Sequence, residues 1–486
     1  MKKLYRYSTI VFSVLSLSLT SCSDYLDRDD DDNITEADVF ARYEKVNGLV
    51  SDVYAAAKKA DRPLVFFEHF SNSAITDECE GTNVEGNITN NFNNGAWNPN
   101  SLPGSVGQYW EALYEGIRKA NLIIENVEKY NTPDNPQQDG DLRNRIGEMY
   151  FMRGYFHMLL MRMYGEAPYI DYVVHAGDNM DFKKESVHAM VEKIVADAQT
   201  AYSMVPNKYV KTSENFGRVD KGACLGLIAF VRWVAATPLW NGASQYGYNL
   251  RRVFENEYAY DINRWRRAKE AAKAVMDFEV GGTKRYSLYT KHDANDFKDP
   301  ADGNLNDSRV YARLWDMFYD MDAFANEYVF FMTKSKDQAW QGDIYPPSRE
   351  GSSRQQPVQE QVDEYEYIVG DYGYPVYSAE ARKGGYDDAN PYVKGTRDPR
   401  FYRDIIYHGA PYRNNNNESK ITCGQLLVVP IRLGQPMRLL QGIICVSSSK
   451  SLGISRVTSV SMRLLSGVCL SLSIFMQRLA MSWEKI

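Results

Sequence analysis

Aromatic side chains stand beside amides and carboxylates in two loop-like segments. The first segment holds Trp97 in an asparagine-rich stretch, and the second holds Trp315, Trp340 and Tyr345 among further polar residues. An aromatic face stacks on the C–H face of a pyranose ring, while amides and carboxylates hydrogen-bond its hydroxyls. Both segments therefore predict binding of a sugar. Packing within the fold is the alternative, above all for Trp315 and Tyr319, whose i, i+4 spacing suits one buried helix face.

Asparagines lie on both sides of Trp97 in the sequence. In the second segment, the polar residues 341–343 lie between Trp340 and Tyr345. The candidate ligand-binding residues are Trp97, Asn93, Asn98, Trp340, Tyr345 and Trp315, with Asn91 and Asn94 as further amides near Trp97.

No motif in the sequence indicates catalysis with similar clarity. Glycoside hydrolysis needs two carboxylates facing each other across the scissile bond, and among 63 acidic residues no pair stands out, Asp77 and Glu78 included. The six histidines form neither a metal-binding nor a nucleophile–base motif. A calcium loop would need a distal glutamate that the acidic run 299–307 lacks. We predict no enzyme, no cofactor and no metal, with a surface glycosidase as the minor alternative.

Composition bounds the class of protein. The chain has 486 residues, 44% of them hydrophobic, and a formal charge of −7. A negative chain without a stripe of Lys and Arg is not expected to bind nucleic acid. Cys79 and Cys224 are the only cysteines between residues 23 and 420, and their spacing fits neither a zinc site nor a disulfide framework. A single bridge between them is left open.

The N-terminus is typical of a bacterial lipoprotein. Lys2, Lys3 and Arg6 precede the apolar stretch 10–19, which is too short to span a bilayer permanently. Leu-Thr-Ser then leads into Cys22, the pattern that is cleaved before the cysteine and acylated on its thiol. We predict a signal peptide over 1–21 and a lipidated acidic tether over 22–34, and an ordinary secretory signal is the alternative.

The remaining chain predicts a mainly α-helical fold. Apolar residues recur at helical spacing, and Thr35 is placed as the cap of the first helix. Helices are predicted over 35–59, 109–130, 142–164, 186–204, 216–240 and 262–278. Their pairing by turns predicts a stacked solenoid over about 35–280, with a loop insertion at 71–107 and a loop-rich part over about 281–420.

Several motifs in order resemble the SusD/RagB family of nutrient-binding outer-membrane lipoproteins of Bacteroidetes. The resemblance starts at CSDYLD (22–27) and spans roughly 380 residues. Its further motifs are WEALYEGI (110–117), MRGYF (152–156), YGEAP (164–168), GRVDKGA (217–223), TPLWN (237–241), SRQQP (353–357), VDEY (362–365) and RDPRF (397–401). Arg397 and Asp398, within the last motif, are expected to form a structural ion pair or turn.

The resemblance implies tetratricopeptide-like helix pairs and a partner, a SusC-like TonB-dependent transporter that receives glycans or, in some relatives, peptides. It also implies localisation at the outer membrane through the lipid on Cys22. Acids after the lipidated cysteine, here Asp29 to Asp32, resemble a signal for export to the cell surface, and Trp97 lies about where starch-binding relatives place an aromatic.

The last 66 residues differ from the rest of the chain. Residues 421–486 contain one acid, Glu484, seven Lys or Arg, no tyrosine and three cysteines. The resemblance also implies a YAEA helix in this region, and a shifted frame with permissive codons can supply it over 475–486. We predict a frameshift between residues 418 and 423, and 421–486 as an aberrant tail.

Overall fold

The computed structural model describes sixteen parts of the chain. They are 35–60, 66–67, 70–81, 88–96, 104–130, 136–209, 215–243, 254–288, 326–331, 343, 345–347, 351–393, 396–407, 411–414, 417–420 and 444–445. The predicted positions Cys22, Trp97, Asn98, Trp315, Tyr319 and Trp340 lie outside these parts. So do the signal peptide, the acidic tether, the acidic run 299–307 and all of the tail except 444–445.

Helices dominate the described chain, as the sequence predicts. The long ones are α2 (Tyr43–Ala60), α4 (Gly104–Tyr130), α5 (Pro136–Tyr164), α6 (Val187–Met204), α7 (Lys221–Ala236) and α8 (Ile262–Met276). The short ones are α1 (Glu36–Phe40), α3 (Ile88–Asn93), α9 (Gln359–Asp363), α10 (Ala379–Lys383) and α11 (Pro399–Asp404).

The long helices pack in chain order. α4 contacts α5, α5 contacts α6, α6 contacts α7, and α7 contacts α8, while α2 lies against both α4 and α5. Helix α5 is buried on every side over residues 151–161, where Phe151, Phe156 and Leu159 are fully buried. A helix that is buried all round is surrounded by the other elements of the core. It therefore forms the centre of the core.

Polar caps fix where several helices begin. The Thr35 side chain accepts from the Asp38 N–H in a capping box, which confirms the predicted cap. Ser186, Asp220 and Asp261 cap α6, α7 and α8 through their side chains. Because each cap satisfies otherwise unpaired N–H groups, the residues before the apolar runs set the helix starts.

Some boundaries differ from the prediction. Helix α5 begins at Pro136 and not at residue 142, because proline is well suited to the first helical position. Helix α7 covers only Lys221–Ala236 of the predicted 216–240. Gly217 before it has a φ of 84°, and Pro238 follows it, and neither residue continues a helix. The predicted first helix is split into α1 and α2.

The strands are short and pair in twos. They are β1 (Phe66–Phe67), β2 (Phe70–Ser71), β3 (Cys79–Gly81), β4 (Glu279–Val280), β5 (Thr283–Lys284), β6 (Gln355–Pro357), β7 (Tyr367–Val369), β8 (Tyr372–Tyr374), β9 (Ile405–Ile406), β10 (Pro411–Asn414), β11 (Asn417–Lys420) and β12 (Ile444–Cys445). Four pairs join neighbours in sequence, whereas β3 pairs with β6 and β9 with β12.

Two sequence questions are answered within the described residues. Cys79 and Cys224 are buried and free, so the bridge left open above is not formed. None of the helices that the structure describes is long and apolar enough to cross a membrane.

Candidate functional site

One antiparallel ladder joins the two segments that the sequence marks as candidate sites. Cys79 faces Pro357 and Gly81 faces Gln355 where β3 pairs with β6. The ladder is extended by a bond from the Val358 N–H to the Glu78 carbonyl at 3.0 Å. Strand β3 packs against α3, which carries Asn93, and β6 follows the segment that carries Tyr345. The two segments are therefore tied to each other although about 250 residues separate them.

The inner side of the first segment is anchored to the helical scaffold. Ala74, Ile88 and Val106 form a small buried cluster, against which Tyr164 packs at the end of α5. The Tyr164 hydroxyl donates to the Val106 carbonyl at 2.5 Å. Burial raises the pKa of this hydroxyl to about 12, so it stays protonated as a donor. The asparagine-rich stretch is thus pinned on one side, and its other side can face a ligand.

Amides and one aromatic ring lie on the open side of α3. Residues 91–96 are all exposed. The Asn93 Nδ2 group donates to the Ala74 carbonyl at 3.0 Å, which fixes the amide plane and leaves its oxygen as an acceptor. Phe92, which the sequence reading did not single out, has 38% of its surface exposed. An exposed phenyl ring beside fixed amides is the combination that stacks on and hydrogen-bonds a sugar.

The second segment is held in a tight bend. The Arg354 Nε donates to the Asp343 carboxylate at 2.7 Å, and its backbone N–H donates to the Asp343 carbonyl at 2.8 Å. Gly351 passes so close to the Tyr345 backbone that a Cβ atom would overlap it. Tyr345 itself is buried, with 6% of its surface exposed. Among the described residues, this candidate supports the bend and presents no open ring face.

The described part of the chain contains no candidate metal centre. No group of three or more His, Cys, Asp or Glu side chains that could hold a metal ion occurs among the described residues. Of the six candidate ligand-binding residues, the structure describes Asn93 and Tyr345, and the ladder ties their segments together without bringing the two side chains into a described contact.

The family whose model matches residues 24–231 is described as starch-binding and associating with the outer membrane. Over these residues, which are under half of the chain, the sequence is similar to the SusD-like family. The match covers most of the long helices, from the segment before α1 into α7.

One curated protein is similar in sequence, and solved structures are similar in fold. SusD-like protein P2 of Formosa agariphila is 26% identical over 202 residues, which are 41% of this chain and 38% of that protein. The crystal structure of a SusD-like protein from Bacteroides fragilis has a TM-score of 0.55 at 17% identity and covers 79% of this chain and 64% of its own. The structure of a SusD-like carbohydrate-binding protein from the same species has a TM-score of 0.51 at 14% identity. The match covers 76% of this chain and 61% of that protein. The chain thus spans well under half of the curated relative's length.

Beyond residue 231, Tyr372 and Tyr377 are the most exposed of the described tyrosines, and the sequence did not single them out. Tyr372 on β8 and Tyr377 after it have 69% and 55% of their surface exposed. Burial and a hydrogen bond with Asp363 raise the pKa of Tyr377 to about 12. Tyrosine is so frequent in this chain, at 35 residues, that no sequence signal distinguishes these two from the packed ones.

The RDPRF motif is structural, as predicted, although its ion pair differs from the expected one. Asp398 caps α11 and pairs with Arg400, with the Arg400 Nη2 at 2.5 Å from its carboxylate. Arg397 is buried and donates to the backbone carbonyls of Tyr365, Pro391 and Val362. It therefore ties the end of α9 to the segment around Pro391 through carbonyl oxygens and not through Asp398.

Proposed function

We propose that the chain is a glycan-binding lipoprotein of the cell surface, which captures oligosaccharide and delivers it to a SusC-like TonB-dependent transporter in the outer membrane. The observation that carries the proposal is the family match over residues 24–231. The exposed amides of α3 and the anchored inner side of the same segment support a binding role for the loops around it. The role is binding without catalysis.

The proposed site residues are Trp97, Asn93 and Asn98 from the first segment and Trp340, Tyr345 and Trp315 from the second. Trp97 and Asn98 follow the exposed stretch 91–96 directly in sequence, which supports their inclusion. Tyr345 contributes by holding the bend next to Asp343, since its own ring is buried. Phe92 joins the set as an exposed ring on α3.

A screen of soluble glycans and peptides against the purified chain tests the proposal. We expect a glycan to bind, and we expect Trp97→Ala to weaken that binding at least about tenfold, because stacking on a ring is lost. Tyr172→Ala is the matched control, since it also removes an aromatic ring, and Tyr172 is an exposed residue that follows α5. Binding of peptides alone would replace the glycan with a peptide ligand, and release of sugar products would instead indicate a surface glycosidase.

The anchor is tested by fractionation. Cys22→Ala removes the thiol that is proposed to carry the lipid and is expected to release the chain from the outer-membrane fraction. Ser23→Ala, a change at the next residue, is expected to leave the attachment intact. An unchanged membrane fraction for Cys22→Ala would contradict lipid anchoring at this residue, whatever the ligand.

A further inference from the structure

A basic pocket lies between α6, α7 and α8, away from the candidate ligand-binding segments in the sequence. It is a partly open recess of about 70 Å³, which is smaller than a typical small-molecule site and suits a group of only a few atoms. Its lining is charged apart from a short apolar part, and consists of His188, Glu192, Arg232, Arg264 and Arg267 around Val191 and Ala235. Each helix contributes residues three or four positions apart, which places them on one face of that helix.

The apolar part of the pocket explains why there is room between the helices. Val191 and Ala235 are buried members of the core, with 1% and 4% of their surface exposed. The short Ala235 side chain fills little of the space between α7 and α8, so the longer arginine side chains surround a depression. The pocket is thus a consequence of helix packing and not of a loose loop.

Two of the three arginines already have partners. Arg232 forms a two-bond pair with the Glu192 carboxylate, with Nη2 at 2.7 Å from Oε2. Arg264 donates to the Asn241 side-chain oxygen and to the Glu257 carbonyl, both at 2.8 Å, and to the Ala259 carbonyl. Backbone and amide oxygens fix the position of Arg264 without neutralising its charge.

Arg267 adds a third cation to the lining. It is exposed, and within the described part of the chain it makes no hydrogen bond or ion pair. The lining therefore holds three guanidinium groups and one carboxylate. Glu257 and Asp261 lie next to this group and offset part of its charge, with Glu257 exposed and Asp261 bound as the cap of α8. The charge of Arg267 in turn helps to lower the pKa of both Glu192 and Asp261.

The pKa values of His188 and Arg264 respond to these neighbouring cations. Burial and the neighbouring Arg267 lower the pKa of Arg264, against the pull of Asp261. Burial, together with the charges of Arg264 and Arg267, lowers the pKa of His188 to about 4, while the Trp240 carbonyl and Glu257 act in the opposite direction. The His188 Nε2–H donates to the Trp240 carbonyl at 2.8 Å, so the neutral ring is held in one orientation.

We propose that this pocket binds a small oxyanion group, a carboxylate, sulfate or phosphate, with Arg267 as the main contact and Arg264 as the fixed second cation. Planar guanidinium groups pair with two oxygens of such a group, and two cations near one cavity favour it over a neutral sugar. The buried position of Val191 and Ala235 makes the site a recess that fits a discrete group. The proposal does not depend on the glycan site.

Calorimetry on the full chain tests the proposal with sulfate, phosphate and glucuronate at constant ionic strength. Arg267→Ala is compared with Arg266→Ala, because Arg266 is also exposed on α8 and its loss changes the net charge equally, yet it does not line the pocket. We expect saturable binding of about millimolar affinity by at least one anion, at least about tenfold weaker in Arg267→Ala and within about twofold of the parent in Arg266→Ala. Arg267→Lys, which keeps the charge but loses the planar fork, should fall between them.

The position of the bound anion is determined by NMR from the signal of the His188 C2 proton. The signal is assigned by its disappearance in His188→Gln. An anion bound beside the ring is expected to shift this signal and to raise the pKa of His188, since it offsets the nearby positive charge. Equal weakening by the Arg266 and Arg267 variants would overturn the proposal, as it would show general charge attraction. Binding without any change at His188 would overturn it as well, because the anion would lie elsewhere.

Discussion

The His157 Nε2 atom accepts a hydrogen bond from the Ile170 backbone N–H at 3.0 Å, deep between α5 and the segment that follows it. The other ring nitrogen lies 2.8 Å from the Arg153 carbonyl and must donate to it. The ring also stacks on Tyr169 with 3.7 Å between centroids. Each nitrogen thus has one fixed role, and the folded state accepts only the neutral ring with its proton on Nδ1.

Acid is expected to unfold the protein through this histidine. Burial lowers the pKa of His157 from an unfolded value of 6.5 to about 3. Between these values the unfolded chain binds the additional proton, so stability is fully present above pH 6.5 and decreases toward pH 3. The expected contribution is about 1.4 kcal/mol per pH unit in this window. Urea unfolding at several pH values between about 5 and 7 measures this change of the unfolding free energy with pH.

The matched variants for this slope are His157→Gln and His175→Gln. His175 has 65% of its side chain exposed and lies 4.0 Å from Glu125. We expect the first variant to have a shallower dependence of the unfolding free energy on pH and the second to match the parent. Equal slopes in all three proteins would show that His157 does not titrate differently in the folded state.

Glu148 is the acid whose loss should destabilise the scaffold most. Its carboxylate accepts from Arg145, from Arg218 at 2.9 Å, and from the hydroxyls of Tyr54 at 3.0 Å and Tyr209 at 2.7 Å. These groups come from α2, α5 and the segments on either side of 210–214. Removing one partner of a buried ion pair costs about 3–5 kcal/mol, and we expect that loss for Glu148→Gln in urea unfolding at neutral pH.

Glu115→Gln is the control for this prediction. Glu115 pairs with Lys119 at 2.6 Å on the surface of α4, with 63% of the glutamate side chain exposed. Exposed pairs contribute at most about 1 kcal/mol, so this variant should remain close to the parent. A comparable loss of stability in both variants would mean that the buried network contributes no more to stability than an exposed ion pair.

The WEALYEGI motif contains a glycine that close packing requires. A Cβ atom on Gly116 would lie 2.5 Å from the Phe156 Cζ atom, which belongs to the buried face of α5. Gly116→Ala is therefore expected to push α4 and α5 apart and to lower the unfolding free energy by about 1–3 kcal/mol.

Gly107 in the same helix offers the opposite expectation. No atom lies within 4 Å of the place where its Cβ would be. Alanine restricts the unfolded chain and favours the helix, so Gly107→Ala should stabilise by about 0.5–1 kcal/mol. Thermal unfolding of both variants gives the comparison. Stabilisation by both changes would show that the α4–α5 contact can relax.

The scaffold could be predicted from the sequence because its signals are local. Thr35 and the glycine after Tyr164 mark helix ends through their own capping and φ preferences, and Gly165 has a φ of 73°. The apolar spacing within each helix needs no knowledge of its neighbours. The family resemblance adds the order of the motifs and agrees with the match over residues 24–231.

The candidate site could be predicted only in part, since its geometry depends on distant contacts. Nothing in residues 79–81 indicates that they pair with 355–357, because strand pairing is set by the whole fold. Tyr345 is buried and Phe92 is partly exposed, although both are aromatic, so residue type alone does not indicate which ring is accessible. The unpaired Arg267 likewise looks like Arg266 until the helices are assembled.

The tail provides the last prediction, which we base on the proposed frameshift. Within 421–486 the structure describes Ile444–Cys445 alone, which pairs with Ile405–Ile406 on β9. A tail translated in the wrong frame has not been selected to cover the solenoid. Deletion of 421–486 should therefore change the unfolding free energy by less than about 1 kcal/mol, the scale of a few exposed strand contacts.

Restoring the frame between residues 418 and 423 should instead stabilise the chain. The matched control carries the same insertion or deletion further downstream, after Cys445, so that most of the altered tail is kept. We expect only the upstream correction to raise the midpoint of urea unfolding, because only it restores the implied YAEA helix together with the sequence that leads into it. Resequencing that finds no shifted frame, or a large loss of stability on deleting the tail, would contradict the prediction and make 421–486 a genuine part of the fold.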